Sequence, residues 1–226
     1  MTLPNQKHNR STRAGFTLIE LLMVISIIAI LASLGVAVIR SAENDARAAR
    51  TETIITKINN VIQRRFENYE TRTLPFRVDS TLGPDQQRML RNQVLAEWIR
   101  GEMPTSGGNL ADFGNSGVFP IPREPAMVKR LKRHFSNADA IWAAENQDAE
   151  CLYAILKNSW DGENRGTHFL TPQEIGDTDD DQALEVLDGW GDPIRFSITV
   201  NGASVDPSNP GTLNDYDFEI LSNRDF

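Results

Sequence analysis

The hydrophobic pattern of the N-terminal third predicts one long helix built from two unlike halves. Residues 16–39 are almost entirely apolar, whereas residues 54–69 place apolar side chains every three or four positions. The first segment spans about 36 Å as a helix, which is enough to cross a hydrocarbon core of about 30 Å. The second has one apolar stripe, formed by Ile54, Ile55, Ile58, Val61, Ile62, Phe66 and Tyr69. We expect a transmembrane half over 16–39 and an amphipathic half over 40–75, which Pro75 ends.

The middle of the chain predicts further helices separated by loops. Residues 83–100, opened by the turn sequence Gly-Pro-Asp, form one, and 127–135 and 138–158 form two more. Residues 101–125 are rich in Gly, Pro, Ser and Asn, which is typical of an irregular surface segment. The expected core side chains of these helices are Leu90, Val94, Leu95, Trp98, Ile99, Ile141, Trp142, Cys151, Leu152, Ile155 and Leu156. We therefore expect residues 83–160 to form a helical insertion between the long helix and the C-terminal part of the chain.

The C-terminal part alternates apolar and polar residues with the period of a strand. Residues 194–200 alternate after a Gly-rich turn at 188–193, Asn201-Gly202 is a turn signal, and 216–220 alternate again. These features predict a short antiparallel sheet over about 190–222. The expected fold class is α+β, with the long N-terminal transmembrane and amphipathic helix packed on this small sheet.

One acidic residue interrupts the apolar segment. Placing the Glu20 carboxylate in hydrocarbon costs about 2.5–3.5 kcal/mol, so it needs a partner or a function. If the chain is cut between Gly15 and Phe16, the new α-amino group of a neighbouring copy supplies a positive charge near the same depth. An ordinary single-pass anchor leaves Glu20 unexplained. A secretory signal peptide has a shorter apolar region, of about 7–15 residues, and seldom contains an acid.

The sequence Gly-Phe-Thr-Leu-Ile-Glu-Leu-Leu at 15–22 resembles the prepilin processing site of type IV pilin-like proteins. The resemblance implies that a membrane prepilin peptidase removes residues 1–15 by cutting after Gly15, and that it methylates the new amino terminus at Phe16. It also implies that Glu20 docks the subunit into a growing filament. The implied partners are the prepilin peptidase, other pilins or pseudopilins, the assembly platform with its ATPase, and the lipid bilayer.

The distribution of charge around the apolar segment predicts the topology. Lys7, Arg10 and Arg13 precede the segment, and the charges after it are of both signs. The N-terminus should therefore stay cytoplasmic while the remainder crosses. With the resemblance, this predicts a single-pass bacterial inner-membrane protein whose globular domain, 76–226, is periplasmic and assembles into a filament.

A second resemblance lies at the start of the predicted sheet. The Trp-Gly-x-Pro turn at 190–193 resembles that of the major pseudopilins of type II secretion, whose sheet packs on the long helix. Cys151 is the only cysteine, so no intramolecular disulfide can form, and we expect a buried, inert thiol. Many pilus-forming pilins close a C-terminal loop with a cysteine pair, so this favours a secretion pseudopilin. The insertion at 83–160 departs from the compact pseudopilin pattern.

The acidic run before that turn is a candidate metal site. Five acids occupy the first, third, fifth, ninth and twelfth places of a calcium-loop spacing, namely Asp177, Asp179, Asp181, Glu185 and Asp188. Hard oxygen ligands at this spacing suit Ca²⁺, although Gln182 stands where such loops have glycine and Asp188 is shorter than the usual bidentate Glu. The alternative is that one of residues 179–181 caps a helix over 183–187, while the others favour its positive end.

Composition excludes several classes of function. The net charge is −8, and the leader carries basic residues only, so the mature chain is more acidic still and unsuited to sequence-independent nucleic-acid binding. Neither His134 nor His168 has a catalytic metal spacing, and the sequence has no phosphate-binding loop and no nucleophile elbow. We therefore expect that the protein is not an enzyme. The alternatives to a filament subunit are a monomeric membrane-anchored binding module, a minor pilin or adhesin with a pilin leader, and a secreted protein.

Overall fold

A computed structural model describes residues 15–73, 81–114, 124–136, 145–161, 164–200, 203–204 and 216–222. The chain divides into two compact units, Met1–Asp45 and Ala46–Phe226. Helices and small antiparallel sheets together make the fold α+β, as the sequence predicts. The predicted helix stop at Pro75, the turn at Asn201-Gly202 and the leader residues 1–14 lie outside the described residues.

The first unit consists of the beginning of one long helix, α1, which spans Leu18–Thr71. Its apolar segment contains an 18-residue window with a mean hydropathy of 2.9, none of which is buried by the rest of the chain. By length and composition this segment can cross a membrane. The large apolar side chains that the structure describes between Phe16 and Ile39 are therefore available to lipid or to other chains.

In the second unit, α1 is amphipathic and buries the predicted stripe. Ile54, Ile58, Ile62 and Tyr69 are at most 1% exposed, and the neighbouring stripe residue Phe66 packs against them. Fully burying each such side chain stabilises the fold by about 1.5–3 kcal/mol, which is why this half remains attached to the domain. The predicted amphipathic helix is confirmed.

Within the described residues, four further helices supply much of the remaining core. They are α2 (Pro84–Glu102), α3 (Gly107–Ala111), α4 (Ala126–Ser136) and α5 (Gln147–Asn158). Helix α2 begins where predicted, because Pro84 occupies its first turn and the Gln86 side chain accepts a hydrogen bond from the Gly83 amide at 3.2 Å. Helix α4 confirms the helix predicted over 127–135.

The irregular segment predicted over 101–125 contains helix α3. Leu110 and Phe113 are buried here, because Phe113 packs directly over Gly101, a position where any side chain would collide with the ring. The prediction missed this short helix, since its five residues carry only one apolar anchor. Residues 115–123 lie outside the described residues, as do Ile141 and Trp142 of the predicted helix 138–158, whose described part is α5.

The C-terminal sheet has three antiparallel strands in the order β6-β5-β7. Strand β5 (Arg195–Val200) pairs with β6 (Ala203–Ser204) and with β7 (Tyr216–Leu221), in a register that places Phe196 opposite Ile220. Alternation along β5 buries Phe196 and Ile198, as the pattern predicts. Helix α5 contacts β5, so the helical insertion forms part of the core rather than an appendage.

Two smaller antiparallel pairs complete the described strands. Strand β1 (Trp160–Asp161) pairs with β2 (Asn164–Arg165), and β3 (Ile175–Gly176) pairs with β4 (Glu185–Val186). Strand β4 corrects the expectation of a helix over 183–187, so no helix is present there for the acidic residues to cap. β-branched Val186 pairs with Ile175 and is fully buried, which a strand accommodates better than a single helical turn.

Gly189, the residue directly before the Trp-Gly-x-Pro turn, lies against the amphipathic part of α1. The Gly189 amide donates to the Thr51 hydroxyl at 2.8 Å. A Cβ at Gly189 would collide with the carbonyl oxygen of Arg47, so only glycine allows this approach. The turn therefore fixes the start of the sheet to the long helix within the second unit.

Candidate processing site and candidate metal centre

The Gly15–Phe16 bond lies in a short non-helical segment immediately before α1. No described atom outside the neighbouring residues lies within 4 Å of the place where a Cβ on Gly15 would be. Phe16 is 88% exposed. The described residues therefore leave the predicted cleavage bond unobstructed.

Glu20 closes the first turn of α1 through a capping box. Its Oε2 atom accepts hydrogen bonds from the backbone amide and the hydroxyl of Thr17, both at 2.8 Å. The Glu20 amide in turn donates to the Thr17 hydroxyl at 3.3 Å. Glu20 is exposed, so one carboxylate can both cap its own helix and face another molecule.

The candidate metal residues come together only in part. Carboxylate oxygens of Asp177, Asp179 and Asp181 lie within 4.8 Å of one another, and Asp179 belongs to a second such group with Glu185 and Glu150. We call these five residues the carboxylate cluster. Four of them were predicted from the calcium-loop spacing, and the fifth, Glu150, comes from α5.

Asp188, the fifth residue of the predicted set, lies in neither group. Its Oδ1 accepts from the amides of Trp190 at 2.8 Å and Asp192 at 3.0 Å, and its Oδ2 accepts from the Ser222 hydroxyl at 2.7 Å. Oδ1 therefore holds the turn and Oδ2 holds the segment that follows β7. These contacts give Asp188 a structural role.

Backbone amides hold the loop of the cluster in place. Asp177 accepts from the amides of Asp181 at 3.1 Å and Gln182 at 2.9 Å, and Asp181 accepts from Ala183 at 2.7 Å. Asp180 and Gln182 adopt positive φ angles of 59° and 73°. The structure thus places Gln182 in the left-handed conformation that a calcium loop normally gives to glycine.

Three oxygens in the cluster are buried without a hydrogen-bond partner among the described residues. They are Oε1 of Glu150, Oδ1 of Asp179 and Oδ2 of Asp181. Glu150 is 1% exposed, and Asp181 is 4% exposed. Buried polar atoms without partners are rare in folded proteins and call for an explanation such as an ion or a proton.

The electrostatics of the cluster favour uptake of positive charge. Burial, followed by the neighbouring charges of Asp181 and Asp179, raises the pKa of Glu150 to about 8. Burial also raises the pKa values of Asp179 and Glu185. None of the described ion pairs includes a member of the cluster. The same site therefore attracts either protons or a metal cation.

The residue types present fit a hard cation. Both groups consist of carboxylates alone, without a histidine or a thiol among the described candidates. Such oxygen sets suit Ca²⁺ or Mg²⁺ rather than zinc or copper. The neighbouring thiol of Cys151 is fully buried, and burial raises its pKa, as expected for an inert core residue.

Glu150 escaped prediction because it is distant in sequence from the acidic run. One signal was available, since Glu150 is the only charged residue in the run Ala149–Leu156, every member of which is buried. A lone acid in an apolar helical segment is the same signal that marked Glu20. In a helix the spacing alone does not say what the acid faces.

Comparison with protein families identifies one match. Residues 10–36 match the prokaryotic N-terminal methylation motif, which is the leader signature of type IV pilins and pseudopilins. No curated protein and no solved structure matches the chain. The motif confirms the predicted resemblance, and it indicates a type IV pilin-like or pseudopilin protein.

The motif also bears on partners and location. It implies processing by a prepilin peptidase and interaction with pilin-type proteins, and it suggests a structural rather than an enzymatic role. Together with the apolar segment of α1, it fits anchoring in a membrane.

Proposed function

We propose that this chain is a structural subunit of a type IV pilus-like filament. In this proposal the prepilin peptidase cuts between Gly15 and Phe16 and methylates the amine of Phe16, and Glu20 pairs with the amino terminus of a neighbouring subunit. The assembly platform and its ATPase then add the subunit to a filament anchored in the bacterial inner membrane, with the acidic domain on the periplasmic side.

The observation that carries the proposal is the methylation motif at 10–36 combined with an apolar helix that the chain itself leaves uncovered. From Leu18 to Ile39 the large apolar side chains are about half or more exposed. A stable molecule must cover such a surface with lipid, other helices or both. Side-by-side packing of subunit helices provides this cover and brings each Glu20 near another chain.

Processing is tested by intact mass and N-terminal sequencing of the protein recovered from cell membranes. The expected product begins at Phe16 and carries one extra methyl group. A product beginning within or after the apolar segment would show a secreted protein, and an uncut chain would show an ordinary anchor. Either result would refute the filament proposal at its first step.

Docking is tested by a pair of substitutions at Glu20. Glutamine keeps an oxygen that can accept from Thr17 but removes the charge, whereas alanine removes both the cap and the charge. Loss of sedimenting filaments in both variants, with processing intact, supports pairing of the charge with a neighbour's amine. The exposed Glu43 lies on α1 beyond the apolar segment, so Glu43→Gln is the matched control.

Two results would count against docking. Filaments that survive Glu20→Gln but not Glu20→Ala would assign Glu20 to helix capping alone. Unchanged behaviour of both variants would favour a monomeric membrane-anchored binding module.

A secretion pseudopilus is the form of filament that we favour. Gly189, which precedes the Trp-Gly-x-Pro turn, donates a hydrogen bond to Thr51 of α1. The chain has a single cysteine, so the C-terminal loop has no intramolecular disulfide. The experiment is deletion of the gene followed by separate assays of protein export and of surface pili. Loss of export with pili retained supports the pseudopilus, and the opposite result assigns the chain to a pilus.

A further inference from the structure

We propose that a basic cleft around Trp160 binds a chain of carboxylated sugar units, that is, an acidic polysaccharide. The cleft consists of three adjoining hollows that share Trp160 as a wall, and we call it the Trp160 cleft. It lies within the second unit, on the side chains of α1, α4, α5 and the β1–β2 pair. The proposal goes beyond the filament role and does not depend on it.

The pairing of two short strands fixes the wall of the cleft. Trp160 of β1 lies opposite Arg165 of β2, and the Gly166 amide donates to the carbonyl oxygen of Ser159 at 2.9 Å. This hairpin follows α5 directly, so Trp160 lies just beyond Lys157 at the end of that helix. The Trp160 side chain is 59% exposed. A large, rigid aromatic side chain held in this way is a ready contact surface for a ligand.

The first argument is an excess of positive charge in a chain whose net charge is −8. Glu102 is the one acid among the described residues that line the cleft, and it is already paired with Arg65 at 3.2 Å and with Arg72 at 2.6 Å. The described lining residues that carry positive charge are Arg64, Arg65, Arg72, Arg130, Lys157 and Arg165. The cleft is therefore basic on an acidic protein.

Three of these cations have no carboxylate partner in the described part of the chain. None of the described ion pairs includes Arg130, Lys157 or Arg165. The guanidinium carbon of Arg165 instead lies 5.8 Å from the centroid of the Trp160 ring. His134 also lines the cleft, and burial together with the charge of Lys157 lowers its pKa. A ligand that brings negative charge relieves the repulsion among these cations.

The second argument is the kind of surface that lies between the charges. Trp160 offers a flat apolar face, on which the C–H groups of a sugar ring can pack. Asn68 and Asn158 each donate an amide N–H to a carbonyl oxygen of the preceding helical turn at 2.9 Å. Their Oδ1 atoms have no described donor and are available to accept from hydroxyl groups. A carboxylated sugar carries all the complementary groups, since its carboxylate pairs with Arg or Lys.

The third argument is the size and arrangement of the hollows. The two larger ones have volumes of about 270 and 230 Å³, and Arg130, Asn158 and Trp160 border both of them. Each is smaller than the about 300–1,000 Å³ of a site for one drug-sized ligand. Adjoining small hollows around one tryptophan suit successive units of a chain, with one unit in each. Arg130 lies between them, within reach of the carboxylates on either unit.

The test uses the full chain in an uncharged detergent, in buffer freed of divalent cations, with trigalacturonate as the probe. We expect saturable binding in calorimetry that weakens as NaCl is raised, because salt screens exposed charges. The methyl ester of the same trisaccharide keeps the rings and the hydroxyls but removes the charge. It should bind at least about tenfold more weakly, because hydrogen bonds to charged groups are the stronger ones.

Substitutions in the cleft test the assigned residues. Arg130→Gln should weaken binding at least about tenfold, and Trp160→Ala about fivefold. Trp160→Phe keeps a flat ring and should recover most of the lost affinity. Lys129→Gln is the matched control, because Lys129 is exposed on the same helix but is not among the described residues that line the cleft. Arg130 and Trp160 are exposed, so Tm should stay unchanged in all these variants.

Several results would overturn the proposal. Absence of saturable binding would remove the site, and equal binding of the methyl ester would show that charge does not select the ligand. Equal weakening by Lys129→Gln would reduce binding to general attraction by a basic helix. Tighter binding of triglutamate than of trigalacturonate would assign the cleft to an acidic peptide. Tighter binding of a thymidine trinucleotide would assign it to single-stranded nucleic acid, which also combines cations with stacking.

Discussion

Two glutamates of the second unit are each only 1% exposed, yet their surroundings are opposite. Glu102, at the end of α2, accepts from Arg72 at 2.6 and 2.9 Å, from Arg65 at 3.2 Å and from the Tyr69 hydroxyl at 2.9 Å. Glu150, at the start of α5, faces three other carboxylates and leaves one oxygen unpaired. One buried charge is compensated within the chain and the other is not.

The difference shows where the domain is complete and where it requires something external. Around Glu102 the guanidinium of Arg72 also lies over the Trp98 ring, with 4.6 Å from its central carbon to the ring centroid, so α1 and α2 are tied by charge and by packing. Around Glu150 the same degree of burial raises the pKa, since nothing described there supplies positive charge. Burial always disfavours the ionised form of a carboxylate, and neighbouring cations are needed to offset that penalty.

The largest expected effect comes from breaking the compensated site. Glu102→Gln leaves two guanidinium groups facing a neutral amide, and removal of one partner from a buried pair costs about 3–5 kcal/mol in the free energy of unfolding. Urea unfolding of the full chain in detergent, followed by circular dichroism, measures it.

The control is Glu124→Gln, because Glu124 pairs with Lys132 at 2.7 Å while both side chains are about one-third exposed. A surface pair of this kind is worth about 0–1 kcal/mol. Equal losses in the two variants would mean that burial does not distinguish the sites.

The second effect concerns pH and should be found at Glu150 in the metal-free protein. Burial raises the pKa of Glu150 from its ordinary value of 4.5 to about 8, so the folded state holds a proton that the unfolded state releases. Stability is therefore greatest below 4.5 and falls as pH rises toward 8, by at most about 1.4 kcal/mol per pH unit.

The measurement is the free energy of unfolding against pH in the presence of a chelator. Glu150→Gln should flatten the curve and raise stability at pH 8, the opposite sign to Glu102→Gln. The groups that face Glu150 are Asp179, Asp181 and Glu185. The pKa values of Asp179 and Glu185 are also raised by burial, so these two groups contribute to the same slope. A curve that rises with pH would contradict the description of the cluster.

The smallest expected effect comes from removing one hydrogen bond at the Glu102 site. Tyr69→Phe removes one hydrogen bond to Glu102 but leaves both arginines, so it should cost about 1 kcal/mol. Burial also raises the pKa of Tyr69, so its hydroxyl remains a donor throughout the accessible pH range.

Tyr153→Phe is the control for this variant. Tyr153 is also buried, but its hydroxyl makes no hydrogen bond among the described residues that would be lost. Its expected change is within about 0.5 kcal/mol. A loss at Tyr69 as large as that of Glu102→Gln would mean that the hydroxyl, rather than the arginines, holds the carboxylate.

Much of the fold follows from local pattern. The stripe from Ile54 to Tyr69 and the alternation in β5 were predictable, because burial of one face imposes a fixed period on a helix or strand. Helix α3 and strand β4 were not, since their few residues carry too little pattern. Val186 became a strand residue through its pairing with Ile175, a tertiary event.

The sequence by itself determined the N-terminal motif. Gly15, Phe16 and Glu20 lie close together in the chain, beside an apolar segment that by length and composition can cross a membrane, so spacing and hydropathy alone were enough to single them out. The motif match at 10–36 confirms the resemblance on those terms.

Only the tertiary structure decided which groups surround the two buried glutamates. Glu102 meets Arg65 and Arg72 across 37 and 30 positions, and Glu150 meets the acidic loop from a separate helix. Electrostatic free energy depends on distance and burial in space, which the order of residues does not give. For this reason the sequence spacing predicted four members of the carboxylate cluster correctly. It named Asp188 as the fifth, whereas the folded chain brings Glu150 to the cluster instead.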